Sequence, residues 1–208
     1  MRMRSSPSRY HPPIARDNPP FAALGLAAVL ACTAPEPPAP ACPPGSHPDP
    51  DRSHALRTAL RRTAAGEALV AVADDPPICF GGASRGSLRP EGVIVLADSL
   101  APGPAAARLA HMLLHLADDL HHFPIAGAPC APQIASALAA EARAIVAEIE
   151  VWHALADADD PPYPFTRDIL DAAPATRRDL VLTRLHAADP GDELAPLVRD
   201  YRDRCPGE

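Results

Sequence analysis

Two histidines four residues apart, His111 and His115, sit in the stretch Ala-His-Met-Leu-Leu-His inside a helical run from about Ala105 to Leu120. At that spacing the two imidazoles stand one turn above each other on a helix, so both can reach one metal ion. A hydrolytic site on such a pair also needs a carboxylate that takes a proton from the attacking water. The residue after the first histidine is instead Met112. The stretch keeps a grip for a cation and lacks a base beside it. A plainer reading competes. On a helical wheel Leu109, Leu113, Leu116 and Leu120 form an apolar stripe, with Arg108, His111, His115, Asp118, Asp119 and His122 on the other side, as on a solvated helix face.

A second long helical run, Gln133 to Leu155, tips the balance toward a metal. Its stripe of Ile134, Leu138, Ile145, Ile149 and Trp152 takes in Glu141 and Glu148. A carboxylate inside an apolar stripe costs several kcal/mol unless it meets a hydrogen-bonding partner, a cation or a metal. Glu141 from a following helix would complete a His2Glu donor set, which suits Zn2+. Asp118 or Asp119 is expected as the carboxylate that accepts the other ring N–H of a ligating histidine. Glu148, two turns from Glu141, is a candidate substitute base. His122 lies too far along the helix to share the ion and reads as a surface residue.

The order of a strand (Gly92 to Ala97), a helix with His111 and His115, and a helix with Glu141-Ala-Arg-Ala resembles the minimal core of the gluzincin metallopeptidases, over roughly Glu67 to Leu155. The resemblance implies zinc held by His111, His115 and Glu141, with the strand before the first helix as the substrate-binding edge. Met112 stands where that family keeps its general base. The resemblance and this departure together imply a zincin-like domain that binds zinc and hydrolyses peptides poorly or not at all. Two alternatives stay open: an active zinc peptidase in which Glu148 or an aspartate near Asp118 replaces the base, and a purely structural or interaction lipoprotein of the cell envelope.

The elements that must position these residues begin after an export-like leader. Arg2, Arg4, Arg9 and Arg16 precede an apolar run, Phe21 to Ala31, far shorter than the roughly 20 residues a membrane span needs. Val29-Leu30-Ala31-Cys32 resembles a lipobox, which implies cleavage before Cys32, its lipidation, a membrane anchor and a place in the cell envelope, facing the periplasm or on the outer membrane. Residues 1–31 are thus a signal segment and 32–50 a proline-rich tether unable to form a ladder or helix. Residues 51–208 are the domain.

Four further cysteines, Cys42, Cys79, Cys130 and Cys205, suggest two disulfides in an oxidising compartment; the favoured pairing is Cys42 with Cys205 and Cys79 with Cys130. The formal charge of -7 and the lack of a basic stretch argue against nucleic acid as a partner, leaving the membrane and a peptide or envelope protein. The pattern predicts a helix over Asp51 to Ala65 stopped by Gly66, and a strand over Glu67 to Ala73. Ile78 to Phe80 and Val93 to Leu96 read as an antiparallel pair, and short helices follow Phe165, Ala175 and Asp192. The fold class is α+β: a small antiparallel sheet on the two site helices, then a helical carboxy-terminal lobe.

Overall fold

The structure, a computed structural model, describes residues 41–72, 75–82, 85–155 and 160–205. The expected signal segment, Cys32 and the expected tether through residue 40 lie outside the described residues. The last part of the expected tether belongs to the domain, because Ser46–Pro48 forms an edge strand, β1. Asp49 then caps helix α1 (Pro50–Leu60), its carboxylate accepting the Arg52 N–H at 2.9 Å, with proline in the first turn.

Gly66 does not stop α1. The helix ends at Leu60, and a second helix, α2 (Ala64–Val72), takes the place of the expected strand. A short apolar run such as Ala-Leu-Val-Ala-Val has no period that separates strand from helix. Gly66 sits inside α2 because a Cβ there would come 2.5 Å from the Leu60 carbonyl oxygen and 2.7 Å from the Thr63 hydroxyl. That closeness lets Thr63 Oγ1 accept the Gly66 N–H at 3.0 Å.

The remaining strands are β2 (Ile78–Gly81), β3 (Gly86–Leu88) and β4 (Ile94–Leu96), in the sheet order β1-β2-β4-β3. β2 and β4 run parallel, with Ile78 opposite Ile94 and Phe80 opposite Leu96, and not antiparallel as the pattern suggested. The cause is β3, hidden in the turn-rich span after Gly81. It returns antiparallel along the outside of β4, so β4 re-enters in the direction of β2. Period-2 alternation then sorts the side chains. Ile78, Phe80, Ile94 and Leu96 join the main core, while Cys79, Val93 and Val95 face the other way, beside Cys42.

Helix α3 (Pro102–Ala117) leads through a single 3-10 turn, Leu120–His122, to the long α4 (Cys130–Leu155). Helices α5 (Thr166–Asp171), α6 (Pro174–Ala187) and α7 (Ala195–Arg204) form the expected carboxy-terminal lobe. No helix among the described residues is long and apolar enough to cross a membrane. α4 divides two hydrophobic cores. Ala147 and Val151 pack with the sheet, α1, α2 and α3, whereas Leu138, Ile145 and Ile149 pack with Phe165, Ile169, Val181 and Leu185 of the lobe.

All four expected cysteines form disulfides, but the pairing is Cys42–Cys79 and Cys130–Cys205. Pairing of β1 with β2, with Pro48 opposite Cys79, brings Cys42 to its neighbour. The end of α7 reaches the start of α4, which leaves Cys205 beside Cys130. Peptide mapping without reduction should join the peptides that hold Cys130 and Cys205. The double variant Cys130→Ser/Cys205→Ser should lose about 2–4 kcal/mol in a denaturant titration, since it frees a loop with a sequence separation of 75.

Candidate metal centre

α3 carries Ala105, Ala106, Ala107 and Ala110, all buried, and such small side chains let neighbouring elements approach it on more than one side. The face that a wheel assigns to solvent is therefore covered by α4. His111 is 1% exposed and His115 7%, so the solvated-face reading fails. Met112, the residue after the first histidine, is 3% exposed and belongs to the sheet-side core. On α4, Glu141 and Glu148 lie two turns apart with fully buried Ala144 on the same side, and both carboxylates face the histidine helix.

Three donors meet there. Nε2 of His111 lies 2.7 Å from Nε2 of His115, and these atoms lie 3.2 Å and 3.0 Å from Glu141 Oε1 and Oε2 respectively. The rings are 84° apart, so each points its nitrogen into the shared space edge on. Protons cannot satisfy all three edges of this triangle. If each imidazole donates to Glu141, two N–H groups crowd each other; if one donates to the other, the acceptor ring sets a lone pair against a carboxylate oxygen. One cation accepts all three lone pairs at once. Donors at about 2.0–2.1 Å from a tetrahedral ion stand roughly 3.3 Å apart, so the set needs only a slight opening. His111, His115 and Glu141 thus form a buried group that can hold a metal ion.

Glu148 occupies the Nδ1 side of His111, away from the converging nitrogens. Its Oε2 lies 2.8 Å from Nδ1, within ion-pair distance though off the line of a ring N–H. Arg108 donates to Oε2 at 3.1 Å, Tyr163 to Oε2 at 2.8 Å, and Arg85 to Oε1 at 3.1 Å. That is the position of an orienting carboxylate. The aspartates expected in that role are elsewhere. Asp118 pairs with Arg143 at 2.8 Å, and Asp119 is exposed in a left-handed turn. His115 Nδ1 is buried with no partner among the described residues.

Burial raises the Glu148 carboxyl, but His111, Arg108 and Arg85 outweigh it and hold the pKa at about 2. Burial likewise opposes ionisation of Glu141, yet His111 and His115 keep its carboxyl well below the usual carboxylate range. Burial and the Arg108 charge push His111 down, and the two glutamates more than compensate, leaving it above an ordinary histidine. His115 is lowered by burial and by His111. Tyr201, raised by burial and by Glu141, stays protonated and donates to Glu141 Oε2 at 2.9 Å.

Sequence reasoning missed Tyr201, Tyr163 and Arg85. None lies within helical reach of the ligands, and the available signal was the electrostatic one: buried glutamates need donors from somewhere. A pocket of about 240 Å³ opens onto the centre, lined among others by His111, Met112, His115, Glu141 and Tyr201. Its sheet wall is β3, one of the two edge strands. The Gly92 to Ala97 strand, expected at the edge, lies between β2 and β3.

No protein-family model matches the chain, and no curated protein or solved structure matches it either. The electrostatics lead to one measurable expectation. Glu148→Ala leaves Arg108 and His111 without their shared counter-charge in a closed setting, and should destabilise the protein by about 3–5 kcal/mol in chemical denaturation.

Proposed function

We propose that the chain is an exported lipoprotein whose domain binds one zinc ion in a zincin-like site and hydrolyses peptides poorly or not at all. The observation that carries this reading is the triangle of His111 Nε2, His115 Nε2 and the Glu141 carboxylate, with edges of 2.7–3.2 Å that a single cation satisfies and protons do not. His111, His115 and Glu141 would hold the ion, which would supply a Lewis acid for an oxygen of a bound substrate. Glu148 orients the His111 ring, and Tyr201 holds the Glu141 carboxylate by a donated hydrogen bond. Met112 borders the pocket with a thioether, so a proton acceptor is missing where the resembled family has one. General acid–base assistance is worth about 10²–10⁴-fold, which sets the scale of the impairment.

The edge strand β3 beside the pocket favours an extended peptide, which can pair with an open strand edge, over a compact small molecule. Two disulfides fit an oxidising compartment, in keeping with the export-like leader. The lipid anchor at Cys32 rests on the sequence.

Metal analysis of the full chain should find one tightly held Zn2+ that Glu141→Gln releases, and Glu148→Gln should weaken it about 10–100-fold. A chain that takes up no zinc from buffered solution would sink the reading. Met112→Glu restores a carboxylate after the first histidine at a cost of about 1–3 kcal/mol, because position 112 is closed to water. It should confer weak cleavage of an unfolded protein that a chelator abolishes. A folded, zinc-loaded Met112→Glu chain that cleaves nothing would show that the pocket now serves binding alone.

A further inference from the structure

A second convergence of metal-type donors lies where α3 ends. Asp119, at φ 55° and ψ 23°, turns the chain through the left-handed region into the 3-10 turn that carries His121 and His122. The reversal gathers one ligand atom each from Asp119, His121 and His122 within 4.8 Å of one another. The two rings lie 3.9 Å apart, tilted by 41°. Donors on one ion at about 2.0–2.2 Å stand roughly 3–4 Å apart, so small rotations of these side chains close the set.

Two further observations point to a ligand. Nδ1 of His121 is shut off from solvent and has no hydrogen-bond partner among the described residues, a condition that buried polar atoms ordinarily avoid. The Asp119 carboxylate has no ion pair or hydrogen bond among the described residues either, although two imidazoles stand beside it.

The geometry points to a second, surface site for a late first-row divalent cation, held by Asp119, His121 and His122. Two imidazoles and a carboxylate suit Zn2+, Ni2+ or Cu2+ and not the oxygen-seeking Ca2+ or Mg2+. His121 also lines the pocket that contains His111 and His115, so the ion sits at the rim of that pocket. With two of its three ligands exposed, it is held less tightly than an ion among His111, His115 and Glu141.

The full chain, stripped by a chelator and titrated with Zn2+ alone in a calorimeter, should show a tight and a weaker class of sites. Asp119→Asn removes the carboxylate while keeping a residue that tolerates left-handed backbone, and His122→Ala trims an exposed ring. Each should weaken the second class by at least about tenfold and leave both the tight class and the thermal midpoint of the metal-free protein unchanged. Glu141→Gln should do the reverse. A weaker class that neither Asp119→Asn nor His122→Ala affects overturns the surface site. So does a single class that Glu141→Gln abolishes and His122→Ala spares, which leaves the buried site standing. A single class with the opposite response supports the surface site and sinks the buried one, and no uptake at all overturns both.

Discussion

Glu141 and Glu148 project from a helix flanked by the two hydrophobic cores, and neither carboxylate can stay ionised there without compensation at contact distance. An uncompensated charge in such a place costs several kcal/mol, a large share of the total stability of a domain this size. The surrounding architecture supplies the compensation. Arg108 and the two histidines come from α3, Arg85 from the approach to β3, Tyr163 from the turn before α5, and Tyr201 from α7. Elements distant in sequence thus meet at one seam, and their hydrophobic packing must agree with the positions those polar groups require.

The alanines of α3 decide whether the seam can form. Larger residues would hold the helices apart and leave the histidines in the water that a wheel diagram assigns to them. With alanine at 105, 106, 107 and 110, the sheet can pack on one side of α3 and α4 on the other. The disulfides serve the same geometry from the periphery. Cys42–Cys79 ties the segment before β1 to β2, and Cys130–Cys205 fastens the end of α7 to the start of α4.

Helical spacing was enough to place His111 beside His115, and the cost of a carboxylate in an apolar stripe was enough to single out Glu141 and Glu148. Both inferences use interactions within one helix, where a 3.6-residue period is visible in a single chain. The α+β class and the carboxy-terminal helices were legible for the same reason. What failed depended on partners that no local pattern names. Val72 and its neighbours read as a strand, yet Gly66 closes against Leu60 and the segment is helical. β3 was invisible in a stretch of turn residues, and without it the direction of β4 came out reversed. The cysteine pairing needed the sheet order. Tyr201 needed the docking of the last helix, because a tyrosine sixty residues beyond Glu141 carries no mark of its contact.

The docking of that last helix separates two events in the life of the chain. Every candidate ligand of the buried centre is present once residue 141 has been made, but the phenol that holds Glu141 and the cysteine that anchors α7 come from positions 201 and 205. A chain emerging amino end first therefore presents its donors before it possesses the clasp that fixes them. Delivery of the centre is vectorial: the donors come first, and the contacts that lock them wait for α7.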